Sequence, residues 1–296
     1  PVLAQTKSHL CNLFKINGST YPATSITLKD NATQLAIEDK IIANIPTQHP
    51  QDEIPITLDG KAIYCVAGTL TADLVKEAAS TGLFIIYGSI NHNDRNYIRS
   101  YTNGAKSIKF INIDGEQVTS LQQILYESEA SSVTFENCNF SKVWTLLNAF
   151  SYMSNLTSFS FKGMGLTNKL TELRYMFFGC KKLESVDFCN CDFSSVNNLY
   201  GMFSNCSALK SIDFSSCNLT SVSSTGNMFN SCSALESIDF SNCDFSNVTT
   251  IQYYMFAGCK ALKEIKAIGC NEATIAFLKD RLNDAGLTNQ VTLTVK

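Results

Sequence analysis

The stretch that decides the fold is LKSIDFSSCNL (209–219), because it is written three times. LESVDFCNCDF begins at Leu183 and LESIDFSNCDF at Leu235, so the copies start 26 residues apart. Each is preceded by an MF-x-x-C block: Met176-Phe177 with Cys180, Met202-Phe203 with Cys206, and Met228-Phe229 with Cys232. A fourth block, Met255-Phe256 with Cys259, follows after 27 residues. A period of this length is the mark of a solenoid, in which each turn buries its apolar face against the next and the molecule works by offering a surface.

Within each copy the apolar residues alternate: Val186 and Phe188, Ile212 and Phe214, Ile238 and Phe240. Alternation puts these pairs on one buried face of a short strand and turns Asp187, Asp213 and Asp239 outward. Weaker rungs extend upstream through Phe159-Ser-Phe161, Val133-Thr-Phe135, Ile108-Lys-Phe110, Ile85-Ile86-Tyr87 and Ile63-Tyr64-Cys65. Downstream lie Ile265-Lys-Ala267 and Val291 to Val295, and all the rungs are expected to run parallel.

Helices are expected between the strands. Leu70 to Ala79, Leu121 to Ala130, and Val143 to Leu156 with Trp144, Leu147, Phe150 and Met153 carry apolar residues at helical spacing. A shorter helical turn, α-helical or in places 3₁₀, is expected at each MF block. The last helix is placed at about 271–285, with Gly286 as its stop. Residues 1–55 lack the repeat. Short helices are expected at His9 to Ile16 and Leu35 to Ile45, with a strand at Ile26 to Leu28. This segment is read as an N-terminal cap or a small separate domain. Residues 56–296 then form the solenoid, closed by a cap at about 271–296.

The twelve cysteines do not read as a disulfide framework. Cys138, Cys191, Cys217, Cys243 and Cys270 hold one repeat position, and Cys180, Cys206, Cys232 and Cys259 another. Only Cys11, Cys65 and Cys189 fall outside. Stacked columns of parallel Cβ vectors about 4.8 Å apart do not suit bridging, so the thiols are expected to be free and buried. Paired C-x2-C zinc spacing is missing. Phe177, Phe203, Phe229 and Phe256 are expected to form a stacked aromatic spine.

Charged residues are 17% of the chain and the net charge is -3, so the surface must be rich in Ser, Thr and Asn. A nucleic-acid binder would need a basic stripe. No apolar run reaches the ~18 residues of a membrane span. His9, His49 and His92 lie outside the clear repeats, and no nucleophile–base pair, phosphate-binding glycine motif or cofactor site is seen. The chain is read as neither an enzyme nor a metal protein. Candidate binding residues are those of the strand face, Asp187, Asp213 and Asp239 with Ser215 and Ser241. Tyr200, Tyr253 and Tyr254 are candidate anchors elsewhere. Asn17-Gly-Ser19 and Asn218-Leu-Thr220 match the glycan-acceptor pattern.

Leu209, Ile212, Phe214, Cys217 and Leu219 fill the L-x-x-L-x-L-x-x-N/C-x-L signature of leucine-rich repeats in order. With its MF-x-x-C-x-x-L element, the repeat resembles the BspA-type branch, found in surface proteins of Bacteroides-like bacteria, mycoplasma-like bacteria and some protists. The resemblance implies an α/β solenoid: a right-handed leucine-rich repeat superhelix with a parallel strand ladder and short helices. It also implies a secreted or cell-surface adhesion module that recognises an extracellular protein or glycan. The protein is expected to be monomeric and anchored through a segment absent from this chain, which starts at Pro1. The rival expectation is a structural spacer that projects another surface domain.

Overall fold

A computed structural model describes strand segments between residues 9 and 67, and residues 83–296 apart from 91, 102, 103, 189, 190 and 249–252. Contacts divide the chain into two compact units: Pro1–Val118 with Val133–Phe140, and Thr119–Ser132 with Ser141–Lys296.

The first unit extends well past residue 55. Its strands are β1 His9–Cys11, β2 Lys15–Ile16, β3 Ser19–Thr20, β4 Ile26–Lys29, β5 Gln34–Ile37, β6 Lys40–Asn44, β7 Glu53–Leu58, β8 Lys61–Ala67, β9 Leu83–Ser89 and β10 Ser107–Asp114. Helix α1 spans His92–Tyr101, and most of β11, Ser132–Glu136, also lies in this unit. A six-stranded sheet has the order β11-β10-β9-β1-β8-β7. The expected strand at 26–28 is present as β4. The helices expected at 9–16 and 35–45 are replaced by strands: β5 and β6 pair antiparallel. The rung at Ile63 is also corrected, because β8 pairs antiparallel with both β1 and β7. Parallel pairing starts with β9 and β10. The helix expected at 70–79 and the side chains of Cys11, Cys65, Cys189, His9, His49 and His92 lie outside the described residues, as does the Asn17 sequon.

The second unit is the repeat. Its strands are β12 Ser158–Ser160, β13 Ser185–Asp187, β14 Ser211–Asp213, β15 Ser237–Asp239 and β16 Glu264–Lys266. Helix α2, Glu272–Asp284, and strand β17, Thr292–Thr294, close it. Registers are parallel and follow the repeat: Ile212 faces Ile238, Ile238 faces Ile265, and Ile265 faces Leu293. The expected last helix is present, with the Asn271 side chain accepting from the Thr274 N–H at its start.

The MF blocks are not helices, and this overturns the leucine-rich-repeat reading. A leucine-rich repeat alternates a strand with a short helix in every turn. This unit is a right-handed β-solenoid, and α2 is its one helix among the described residues. Resemblance to BspA-type proteins falls with it, and so does the α/β fold class.

The physical reason lies in the backbone. In the Phe150 block, the N–H groups of Leu146, Asn148, Phe150 and Tyr152 donate to Glu172, Arg174, Met176 and Phe178 of the next rung. The intervening Ala149, Ser151 and Met153 N–H groups donate three residues back, to Leu146, Asn148 and Phe150. Every second donor therefore leaves the block, whereas an α-helix needs each one inside. Asn148 (φ 52°) and Tyr152 (φ 60°) sit in the left-handed region, which an α-helix excludes. Leu121–Ala130 and the blocks of Phe177, Phe203 and Phe229 repeat this alternation.

Glycine serves the same positions. At Gly201 (φ +61°) an added Cβ would lie 2.5 Å from a Tyr175 ring carbon. Gly201→Ala is expected to cost roughly 1–3 kcal/mol through backbone strain alone. A lowered urea midpoint checks this, and an unchanged midpoint would contradict it.

The core is aromatic and sulfurous. Phe150, Phe177, Phe203, Phe229 and Phe256 are fully buried and stack in one column, including the four expected there. Outside, Glu184, Lys210, Glu236 and Lys263 hold one exposed column, with Lys210–Glu184 and Lys263–Glu236 ion pairs at 2.6 and 2.9 Å.

Candidate functional site

Three columns of small polar residues hold the corners of each rung. Each uses a side-chain oxygen to accept the N–H two residues on, closing a tight turn. One contains Ser120, Thr145, Glu172 and Asn198, which accept from Gln122, Leu147, Arg174 and Tyr200. A second contains Asp192, Asn218 and Asp244, which accept from Ser194, Thr220 and Ser246. Hydrogen bonds from Ser194, by hydroxyl and backbone, hold the Asp192 carboxyl below its usual range.

The strand-face candidates form the third. Asp213 Oδ1 accepts the Ser215 N–H at 2.7 Å, and Asp239 Oδ1 accepts the Ser241 N–H at 2.9 Å. Asp187 Oδ2 accepts from the Ser160 hydroxyl at 3.1 Å. Asp213 and Asp239 face each other in register, and Lys266 follows Asp239. Asp187 and Asp213 are exposed, Asp239 and Ser215 half-buried, and Ser241 buried. The spacing places the carboxylates on one face; Asp213 and Asp239 are engaged within their own turns, and Asp187 by the preceding rung.

Cysteine has a reason that the sequence did not disclose. Cys180, Cys206, Cys232 and Cys259 donate their thiols to the carbonyls of Phe150, Phe177, Phe203 and Phe229 at 3.0–3.1 Å. Each of these carbonyls also closes a turn in its own rung, so the thiol takes its second lone pair. Cys138, Cys243 and Cys270 likewise donate their thiols to the carbonyls of Phe110, Phe214 and Phe240. Cys138, Cys180, Cys206, Cys217, Cys232, Cys243, Cys259 and Cys270 are free thiols. Burial pushes the thiols up, to about 12 at Cys180 and Cys259 and about 11 at Cys138, so they are protonated and unreactive at neutral pH. Among the described residues no group of three or more His, Cys, Asp or Glu could hold a metal ion.

The feature that the turns assemble is a ridge of tyrosines. Tyr126 and Tyr152 meet edge to face at 5.6 Å, Tyr152 and Phe178 at 5.1 Å, Phe178 and Tyr175 at 5.4 Å, and Tyr175 and Tyr200 at 5.4 Å. Partial burial and the neighbouring Tyr200 push the Tyr175 phenol up. Beyond Tyr200 a polar relay continues. Asn227 Nδ2 donates to the Tyr200 hydroxyl at 2.6 Å, Asn230 Nδ2 to Asn227 Oδ1 at 3.0 Å, and the Ser231 hydroxyl to Asn230 Oδ1 at 2.7 Å. The Asn227 N–H bonds the Tyr253 carbonyl, and the Tyr253 and Tyr254 rings lie 6.0 Å apart. From Tyr126 to Tyr254 the ridge crosses six rungs, about 24 Å at the spacing of paired strands.

Of these residues, Tyr200, Tyr253 and Tyr254 were legible as candidates. Tyr126, Tyr152, Tyr175 and Phe178 were hidden inside the segments read as helices. A signal was present: aligning the repeats puts Tyr152 above Gly179 and Tyr175 above Gly201, an aromatic over a glycine that it covers.

Fold and surface together define a β-solenoid with an apolar, thiol-lined core and an aromatic outer face. Residues 166–268 match a family model described as "Mycoplasma protein of unknown function, DUF285", so the chain is similar to that family over its best-kept rungs. No curated protein matches the chain. Among the described residues no helix is long and apolar enough to cross a membrane.

Proposed function

We propose that this chain is a binding module, secreted or held at a cell surface, that grips an extracellular protein or glycan along its turn face. The tyrosine ridge carries this reading. Aromatic side chains fixed on a rigid frame offer large contact area with little conformational entropy left to lose. Tyr152, Tyr253 and Tyr254 are exposed although the same backbone buries every phenylalanine of the spine.

The test is a panel of immobilised matrix proteins, plasma proteins and glycans probed with the purified chain. A triple Tyr152→Ser, Tyr253→Ser, Tyr254→Ser variant is expected to bind at least tenfold more weakly with its melting temperature little changed. Asp213→Lys in the same assay weighs the acidic face. If it abolishes binding while the triple variant does not, the carboxylates carry recognition instead. A panel with no ligand would favour the spacer reading. Antibody labelling of intact cells of the source organism tests the proposed location.

A further inference from the structure

Two tyrosines of the ridge pack on a glycine of the next rung, and the last two have none to pack on. Tyr152 lays its ring on Gly179, where an added Cβ would sit 2.9 Å from a ring carbon. Tyr175 lays its ring on Gly201 in the same way, at 2.5 Å. Tyr200 precedes Gly226 by the same repeat step. In each case the tyrosine of one rung stands above a glycine of the next, and at Gly179 and Gly201 the ring takes the space that a side chain would fill. Tyr253 and Tyr254 belong to the last MF block. After it the chain passes through β16 into α2, so no further block supplies a glycine for them. They are 55% and 63% exposed, more than Tyr152.

The two blocks at that end are uncharged, and the first charge after them is Lys260. The blocks 226–231 and 253–258 read GNMFNS and YYMFAG and contain no Asp, Glu, Lys or Arg. Their outward polar groups are the Asn227 and Asn230 amides and the Ser231 hydroxyl, in line with the Tyr200 hydroxyl. Two tilted rings in an uncharged surround suit a ligand with an uncharged, flat C–H face.

We infer that Tyr253 and Tyr254 form a stacking subsite for a neutral glycan. A pyranose ring would take the place that a glycine backbone takes under Tyr152 and Tyr175, on the side of the two rings away from the Asn227 rung. This assignment rests on the binding-module reading and names the ligand class of that same face. A polyanionic glycan finds no counter-charge in these two blocks.

Isothermal titration with cellohexaose, chitohexaose and mannohexaose, against a heparin hexasaccharide, tests it on the whole chain. Binding of at least one neutral hexasaccharide is expected. Tyr254→Ser should weaken it tenfold or more, Asn230→Ala, on the other side of the rings, should leave it within twofold, and Tyr254→Trp should retain it. A melting curve confirms that each variant is folded. No neutral binding at millimolar sugar, binding of heparin alone, or neutral binding intact in a Tyr253→Ser, Tyr254→Ser variant would each overturn the inference. If a panel protein binds and is lost in the triple tyrosine variant while no neutral sugar binds, the glycan assignment fails and the binding-module reading stands. If nothing binds in either assay, both fail.

Discussion

Raising the pH from 9 to 11 is expected to lower the unfolding free energy steeply. Burial raises the folded-state pKa of Cys138 to about 11 and of Cys180, Cys217 and Cys259 to about 12, and carries Cys206 and Cys232 well above the usual value of 9.0. In the unfolded chain the same thiols titrate near their ordinary value. Above pH 9 the unfolded state therefore loses protons that the folded state keeps, and the equilibrium moves toward unfolding. The stabilisation is fully present below about pH 9 and is lost as pH climbs through the folded values. Each thiol contributes about 1.4 kcal/mol per pH unit inside that window, and the four with assigned values together about 5. Urea midpoints at pH 7, 9, 10 and 11 measure the slope. Stability that stays level from pH 9 to 11 would show that the columns are hydrated. Replacing Cys206 and Cys232 by alanine should flatten the slope by about two thiols' worth while lowering stability at pH 7.

Phe203→Ala is expected to cost about 3–5 kcal/mol. The ring is fully buried and stacks on Phe177 and Phe229, each at 5.6 Å, and it meets Phe214 edge to face at 6.5 Å. Deleting it opens a cavity between two rungs that backbone hydrogen bonds hold apart, so the walls cannot collapse inward. Because a solenoid is coupled mainly through nearest neighbours, the damage should spread to the rungs on either side first. Chemical denaturation gives the total. Hydrogen exchange should show the loss of protection centred on residues 177, 203 and 229. A cost below 1 kcal/mol would mean that the spine is not the main support of the core.

The period, the strands and the spine were legible because each leaves a distinct mark on the sequence. Ile212 and Phe214 alternate, and the columns of Phe and Cys recur at a fixed step. The MF blocks were misread for a physical reason. In the block 121–128 the buried residues are Leu121, Ile124, Leu125 and Ser128, an i, i+3, i+4, i+7 pattern. A helix of 3.6 residues per turn produces that pattern. So does a chain of tight turns with two residues in and two out. Over eight residues the two periods do not separate. What distinguishes them is the residue that must adopt positive φ, and here Gln123, Asn148, Tyr175, Gly201, Asn227 and Tyr254 supply it or stand beside it. Only the glycine and asparagines among these announce it in a sequence. The tyrosine ridge was hidden for the same reason, since its members belong to the misread segments. The thiol bonds were hidden because each joins residues 28–30 positions apart.

The exposed column of Glu184, Lys210, Glu236 and Lys263 has a bearing on how the chain finds its register. Near-identical rungs invite slippage: one could be skipped during folding, and the phenylalanine and cysteine columns would still match. Omitting the rung that carries Lys210 would bring Glu184 against Glu236, and omitting the one that carries Glu236 would bring Lys210 against Lys263. Each exposed pair contributes at most about 1 kcal/mol to the finished structure. The alternation of sign adds something that a column of serines would not, an error signal that separates the correct stacking from its closest imitation.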